Sequence, residues 1–173
     1  RDSDNKNYWN DRWTKAGVDQ DRFVNFDIYP IKYAEMVVKD KTHKILEAGC
    51  GTGRVYFHYK KQGYAIKGLE YSDVAVNNIL KKDPAAEVVC ASVTDMPYKD
   101  SEFDLVLAFG LYHNFEEEKD LEKAFSESSR VLKKGGKLLA SVRFDSLENN
   151  IIEYIVKKRK KSVEYNKFHR LHF

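Results

Sequence analysis

KILEAGCGTGR, Lys44 to Arg54, places three glycines at alternate positions directly after a short apolar run. Glycine is needed where φ is positive or where a ligand must approach the backbone with no Cβ in the way. A strand followed by such a loop and then by a helix aims backbone N–H groups and the positive helix end at whatever lies above the sheet. The stretch predicts a ligand-binding loop or, on a purely structural interpretation, a tight strand-to-helix turn.

Short β-rich runs alternate with helical patterns from Lys44 onward. This alternation is typical of right-handed βαβ units, which build a parallel sheet. A chain of 173 residues fits one globular domain, and the pattern predicts an α/β, doubly wound, mostly parallel sheet with helices on both faces. The expected strands are Lys44–Ala48, Ala65–Leu69, Glu87–Ala91, Phe103–Phe109 and Lys137–Val142.

The helices between these strands have recognisable start and stop signals. The first begins after Gly53 and ends at Gly63, a residue suited to the left-handed turn that ends helices. The second is capped by Ser72 or Asp73 and ends before a proline. The third spans Glu116–Leu132, where apolar residues share one face. A Gly135-Gly136 pair is then expected to turn the chain into the fifth strand.

Segments before and after the sheet complete the domain plan. Amphipathic helices are expected at Pro30–Lys39 and Leu147–Lys161, and the closing KFHRLHF is typical of a strand that has no return partner. A bare apolar edge strand invites aggregation, so we expect the C-terminal strands to be incomplete in this chain and the native chain to be longer. The expected boundaries are 1–43 for an N-terminal helical lid and 44–173 for the ligand-binding domain.

Composition excludes several classes of protein. The net charge is only +3 and 33% of the residues are charged, so no dedicated polyanion binder is indicated. Cys50 and Cys90 lack the spacing of a zinc site, and no metal site is expected. There is no apolar run that could span a bilayer, and RDSDNKNYWN lacks the apolar core of a signal peptide, although a start at Arg1 leaves a processed or trimmed N-terminus open. We expect a cytoplasmic monomer or homodimer that does not interact with membranes.

A dinucleotide site is the obvious competitor for the glycine loop. Its fingerprint is G-x-G-x-x-G, whose third glycine supports close packing of the helix beneath a pyrophosphate. Counted from Gly49, that glycine would fall on Arg54, and counted from Gly51 it would fall on Tyr56. Glu47, just before the loop, would repel phosphate and attract a cation.

Glu47-Ala-Gly-Cys-Gly-Thr-Gly53 resembles the first motif of class I S-adenosylmethionine-dependent methyltransferases, which have a Rossmann-like fold. The resemblance covers roughly 44–142, because later motifs of the family are similar to GLEYSD, SVTDMPYKDSEFD, FDLVLAFGLYHNF and VLKKGGKLLAS in this chain. It implies S-adenosylmethionine as cofactor, with S-adenosylhomocysteine as the product. The implied cofactor-binding residues are Glu47, Gly49, Gly51, Gly53, Glu70, Tyr71, Asp95, Met96, Phe109 and Gly110.

The resemblance assigns roles that also make chemical sense. Glu70 would accept from both ribose hydroxyls, Asp95 would accept from the adenine amino group, and Met96 would pack on the ring. The alternatives are that Glu70 and Asp95 are turn or capping carboxylates and that Phe109 belongs to the core. His113, just beyond the fourth strand, is the candidate general base, or a residue that orients its loop.

Residues outside the motifs are candidates for contacts with the acceptor. The segment NYWNDRW contains Tyr8, Trp9, Arg12 and Trp13, which either close over the ligands as a lid or pack as a helix against the sheet. Arg54 either pairs with a carboxylate of a ligand or lies on the surface.

The acceptor is expected to be a small molecule rather than nucleic acid. The fourth strand is followed by Phe109-Gly-Leu-Tyr112, which lacks the Asp/Asn-Pro-Pro-Tyr/Phe motif of methyltransferases that act on the amino groups of bases. The chain is also only weakly basic. Two other readings stay open: a regulatory module that binds the cofactor without catalysis, and a nicotinamide-dependent oxidoreductase.

Overall fold

The computed structural model describes residues 2–16 and 29–142. The helix expected at Leu147–Lys161 and the strand expected at KFHRLHF lie outside these residues. The described elements are, in chain order, α1 (Asp2–Ala16), α2 (Tyr29–Val37), β1 (Lys44–Ala48), α3 (Arg54–Lys61), β2 (Ala65–Glu70), α4 (Asp73–Lys82), β3 (Val88–Cys90), β4 (Phe103–Ala108), a 3₁₀ turn (Tyr112–Asn114), α5 (Glu118–Val131) and β5 (Leu132–Ala140).

The five described strands form one parallel sheet in the order β3-β2-β1-β4-β5. The chain runs outward from β1 to β3 and then crosses back to place β4 on the other side of β1. In sheets of this kind the loops at the carboxyl ends separate at the point of reversal and leave a crevice for ligands. Here the reversal lies between β1 and β4, so the glycine loop and the FGLYH segment border the same crevice.

Most of the expected elements are confirmed to within two residues. Ser72 caps α4, because its hydroxyl accepts a hydrogen bond from the Ala75 amide at 3.2 Å. Gly63, with a φ of 80°, follows α3 in the left-handed conformation. Among the described residues no helix is both long and apolar enough to cross a membrane.

The start of β5 differs from the expectation. The strand begins at Leu132, and Gly135 and Gly136 lie inside it rather than in a turn before it. Phe103 pairs with Leu132 whereas Leu105 pairs with Lys137, so β5 carries additional residues at this point and bulges. Gly135 accommodates the bulge with a φ of 81°.

Two apolar clusters cover the two faces of the sheet. Neighbouring residues of a strand point to opposite faces, so Ile45 belongs to one cluster and Leu46 to the other. The Ile45 cluster includes Ile31 of α2 and Tyr59 of α3. The Leu46 cluster includes Val131 of α5. Burial on both faces makes the central strands rigid, and this rigidity fixes the loops at their carboxyl ends.

Candidate functional site

A cleft of about 670 Å³ opens at the carboxyl ends of the strands, within the range usual for small-molecule sites. Its walls come from the loops after β1, β2, β3 and β4, from α1 and from the start of α2. The lining residues are Asn5, Trp9, Arg12, Trp13, Pro30, Glu47, Gly49, Cys50, Gly51, Thr52, Arg54, Val55, Leu69, Glu70, Tyr71, Ala91, Ser92, Val93, Thr94, Phe109, Gly110, Leu111, Asn114, Phe115, Glu116, Glu117 and Asp120.

Four amides of the glycine loop, those of Gly49, Cys50, Gly51 and Gly53, are already bonded within the protein. Gly49 and Cys50 donate to the Leu69 carbonyl at 2.7 and 3.1 Å, and Gly53 donates to the Cys50 carbonyl at 2.8 Å. The Gly51 amide donates to Oε2 of Glu70 at 2.8 Å. A pyrophosphate-binding loop has to offer such amides to its ligand, so this loop is poorly suited to a dinucleotide.

Glu47 occupies the N-terminus of α3. Its Oε2 accepts a hydrogen bond from the Tyr56 amide at 2.7 Å, in the first turn of the helix. The N-cap residue, Gly53, offers no side chain for this purpose, so Glu47 satisfies an amide that the helix would otherwise leave unpaired. Burial raises the pKa of Glu47 to about 8, against the opposing effects of the Tyr56 amide and Arg54.

Glu70 joins the end of β2 to the glycine loop. One carboxylate oxygen accepts from the Gly51 amide and the other accepts from the Ser72 amide at 3.0 Å. The side chain is buried, which raises its pKa, while these backbone donors oppose the rise. Glu70 therefore has a structural role in the described protein as well as a position in the cleft.

Helix α1 covers the glycine loop. The ring of Trp13 lies 2.9 Å from where a Cβ on Gly51 would stand, so only glycine leaves room for it there. Trp9 and Trp13 stack with centroids 6.0 Å apart, and the Arg12 guanidinium lies 5.7 and 5.8 Å from the two ring centroids. All three side chains line the cleft, whereas Tyr8 does not and is 39% exposed.

Polar contacts hold α1 on the N-terminal end of α4, and not on the sheet. Asn10 donates to Asp73 at 3.1 Å and accepts a hydrogen bond from the Ser72 hydroxyl. Asn78 donates to the Trp13 carbonyl at 3.4 Å. The N-terminal segment is thus a helix, as expected, but its partners are α4 and the glycine loop instead of the sheet, and its role as a lid stays a prediction.

The turn after β4 is held by two side chains that sequence reasoning missed. Ser141 accepts a hydrogen bond from the Gly110 amide at 2.8 Å. Asn114 donates from Nδ2 to the carbonyls of Gly110 and Leu111. Leu111 lies 3.2 Å from where a Cβ on Gly49 would stand, so this turn and the glycine loop are packed against each other. No pattern in the sequence of this turn distinguished Asn114.

His113 lies in the 3₁₀ turn and does not line the cleft. Its Cε1 is 3.9 Å from where a Cβ on Gly110 would stand. The preceding residue anchors the turn, because the Tyr112 hydroxyl is 2.7 Å from that of Ser128 and its ring stacks on Phe125 at 4.2 Å. The structure thus places His113 beside Gly110, which lines the cleft, and not in the cleft wall itself.

The segment after β3 contributes residues to the cleft wall that differ from the expected Asp95 and Met96. Asp95 is exposed, Met96 is only 4% exposed within the core, and neither lines the cleft. Ser92 and Thr94 do line it, with their hydroxyl oxygens 2.8 Å apart. Arg130 donates to the Met96 carbonyl at 3.0 Å and helps to fix this segment on α5.

Ten of the expected residues meet in the cleft wall and five lie outside it. Those in the wall are Trp9, Arg12, Trp13, Glu47, Gly49, Gly51, Glu70, Tyr71, Phe109 and Gly110. Those outside it are Tyr8, Gly53, Asp95, Met96 and His113. Gly53 contributes indirectly, since its φ of 78° turns the chain into α3.

A family model described as a methyltransferase domain matches residues 46–140, more than half of the chain. The chain belongs to this family. The match begins within β1 and ends with β5, so it covers the whole described sheet. The family match, the parallel sheet and the similarity to solved methyltransferase structures together assign the protein to the class I S-adenosylmethionine-dependent methyltransferases.

Individual methyltransferases show similarity over different shares of the chain. A Mycobacterium tuberculosis protein named "Probable S-adenosylmethionine-dependent methyltransferase" is 25% identical over 140 residues, 81% of this chain and 44% of that one. The mouse "Probable tRNA methyltransferase 9B" is 29% identical over 98 residues, 57% of this chain and 21% of that one. This chain thus spans less than half the length of these curated relatives.

A solved structure agrees with the fold. The crystal structure of a SAM-dependent methyltransferase from Thermotoga maritima superposes with a TM-score of 0.62 and 27% identity, over 82% of this chain and 62% of that one.

Replacing Glu70 tests its role as the tie between β2 and the glycine loop. Glu70→Ala should lower the free energy of unfolding by about 1–3 kcal/mol, because the buried amides of Gly51 and Ser72 lose their acceptor. Glu70→Gln keeps one acceptor oxygen and should cost less. Urea unfolding measures both, with Glu87→Ala as the control for loss of an exposed carboxylate. An Ala variant as stable as the control would show that this carboxylate does not hold the loop.

Proposed function

We propose that the cleft binds S-adenosylmethionine and that the protein transfers its methyl group to a small-molecule nucleophile. The observation that carries this proposal is the pairing of two buried carboxylates, Glu47 and Glu70, with a loop whose Gly49, Cys50, Gly51 and Gly53 amides are already bonded within the protein. Such a wall favours a ligand with positive charge and hydroxyl groups over one with a pyrophosphate. The family supports the same cofactor.

The residues of the cleft suit the parts of this cofactor. Glu70, at the end of β2, would accept from the ribose hydroxyls, and Ser92 and Thr94 offer hydroxyls from the next loop. Glu47 suits a cationic group. Asp95 and Met96 stay predictions for the adenine, since they lie beside the wall. Once bound, the cofactor supplies a methyl group that its sulfonium charge activates.

The chain's own contribution is alignment and exclusion of water. Alignment of the reacting atoms contributes strongly to displacement reactions, and a closed site keeps competing water out. Trp9 and Trp13 on α1 form an aromatic wall over the loop, and Phe109 and Phe115 line the cleft from the β4 side. The acceptor would lie between these two walls.

Cofactor binding is the first test. Titration calorimetry should show S-adenosylmethionine and S-adenosylhomocysteine binding with dissociation constants well below millimolar, and NAD binding should be absent at the same concentrations. Glu70→Ala should weaken cofactor binding by about 1–3 kcal/mol, because the ribose hydroxyls lose their acceptor. Binding of NAD in place of both cofactor forms would overturn the proposal in favour of an oxidoreductase.

The charges at the mouth of the cleft favour a neutral or cationic acceptor. Glu116, Glu117 and Asp120 line the cleft near the start of α5 and define what we call its mouth, whereas the described cations of the cleft wall are Arg12 on α1 and Arg54 on α3. Arg12 itself lies over the rings of two tryptophans. A polynucleotide needs clustered Lys and Arg along its backbone, which this mouth lacks among the described residues. Some relatives are named tRNA methyltransferases, so tRNA is the competing acceptor.

Charge reversal at the mouth distinguishes the two acceptor classes. With methyl-labelled cofactor, the wild-type protein should label a member of a panel of neutral and cationic small molecules and leave total tRNA unlabelled. The double variant Glu116→Lys/Asp120→Lys should lower labelling of a cationic acceptor and increase retention of tRNA on a filter, because two carboxylates become cations. Glu122→Lys, exposed on the same helix and outside the cleft wall, is the matched control. Labelling of tRNA by the wild-type protein would contradict the small-molecule proposal.

His113 is proposed as the general base or as the residue that orients the turn after β4. In either role His113→Ala should lower turnover far more than cofactor affinity. As the base, wild-type His113 should also give an acidic limb in the pH dependence of kcat, which the variant loses. A variant that turns over at the wild-type rate would remove His113 from both roles.

A further inference from the structure

Two carboxylates that lie close together in the cleft have different surroundings. Glu47 and Glu70 are 5% and 6% exposed, so both are almost fully withdrawn from water. Glu70 accepts from two amides, one on each oxygen. Glu47 accepts from a single described donor, the Tyr56 amide, which uses Oε2 only. Hydrogen bonds of this kind stabilise the ionised form of a carboxylate, so Glu47 is the less well compensated of the two.

The charged groups around Glu47 do not compensate for its smaller number of hydrogen bonds. Arg54, in the first turn of α3, favours the ionised form, but it is exposed to solvent. Glu70, from the end of β2, opposes it. Cys50, in the loop between them, is a buried thiol whose pKa is itself raised by burial and by both carboxylates, so it brings no charge.

The charges farther out in the cleft are mixed. Arg12 contributes a cation from α1, and Glu116, Glu117 and Asp120 contribute carboxylates from the β4 side. A buried carboxylate without a compensating cation lowers its free energy by taking up a proton. Burial accordingly raises the pKa of Glu47 to about 8.

We propose that Glu47 carries a proton in the ligand-free protein and releases it to solvent when a cationic ligand enters the cleft, so that cofactor binding is coupled to the release of one proton. This inference rests on the proposed cofactor site. The Tyr56 amide donates to Oε2 in both states, which leaves the proton on Oε1. The cap of α3 therefore persists while the charge of the residue changes.

The coupling makes Glu47 a determinant of ligand charge. A cationic ligand gains a new anionic partner when it enters, whereas a neutral ligand leaves the proton in place and gains none. S-adenosylmethionine and S-adenosylhomocysteine share an ammonium group, but only the former has a sulfonium charge. If the ammonium group meets Glu47, both compounds should release the proton. If the sulfonium group meets Glu47, only S-adenosylmethionine should release it.

The sign of the pH dependence follows from linkage. Below the folded pKa of about 8 the ligand must displace a proton, so affinity should rise about tenfold for each pH unit between about pH 5.5 and 7. The folding stability of the ligand-free protein should change with pH in the opposite direction to the affinity. The stability that the raised pKa of Glu47 contributes is fully present below the ordinary carboxyl pKa and is lost as the pH rises through about 8.

Calorimetry with S-adenosylmethionine at about pH 6, in buffers of different ionisation enthalpy, measures the proton directly. At this pH an α-amino group, with an ordinary pKa of about 7.7–8.0, is already protonated and exchanges little. The binding heat should vary with the buffer by an amount equal to about one proton released. Glu47→Gln, in which an amide oxygen still accepts from Tyr56, should bind with a heat that does not depend on the buffer and an affinity that changes little with pH.

The outcomes separate this inference from the proposed function. Binding that releases a proton in the wild-type protein and none in Glu47→Gln supports it. Binding without proton release, or with equal release from both proteins, overturns the role of Glu47 and leaves the cofactor assignment intact. Glu70→Gln alters the other buried carboxylate and should still release the proton when the cofactor binds. If proton release is lost in Glu70→Gln as well as in Glu47→Gln, it belongs to the pair of carboxylates, which contradicts the assignment to Glu47 alone. If the cofactor itself fails to bind, the proposed function fails first.

Discussion

The carboxylate of Glu47 accepts a hydrogen bond from the Tyr56 amide inside the first turn of α3, at the place where many nucleotide-binding folds receive a phosphate. This contact decides what the crevice between β1 and β4 can hold. The Tyr56 amide at this helix end therefore already has a protein acceptor and is not offered to an anionic ligand. In the glycine loop the amides of Gly49 and Cys50 donate to the Leu69 carbonyl and that of Gly51 donates to Glu70, so these three amides are also satisfied within the protein. These contacts support the proposed binding of a cationic ligand in this crevice.

The parts of the site that sequence predicts are those fixed by backbone geometry. Gly51 has a φ of 54° and faces the ring of Trp13, so its position in the motif has a steric reason. Glu70 ends β2, where it pairs with Cys90 of β3, one residue beyond the last pair of β2 with β1. The strands were also predictable, since two-sided burial demands continuous apolar runs.

The parts that sequence missed depend on tertiary contacts. The start of β5 follows from its pairing with Phe103, which holds the residues before Gly135 in the strand despite their turn-like composition. Asp95 lies outside the wall because Arg130 and Glu127 fix the neighbouring Met96 on α5. Asn114 acts through two carbonyls of its own turn. No local pattern in the sequence distinguishes such contacts from ordinary polar surface.

A crystal structure with S-adenosylhomocysteine bound is the most direct measurement of the central claim. The account predicts the ribose hydroxyls on the Glu70 carboxylate, the homocysteine portion along the glycine loop, and Glu47 still bonded to the Tyr56 amide. The vacated methyl position should face the aromatic walls of α1 and the β4 side. A ligand that binds outside this crevice, or one that displaces Glu47 from α3 to place an anion there, would contradict it.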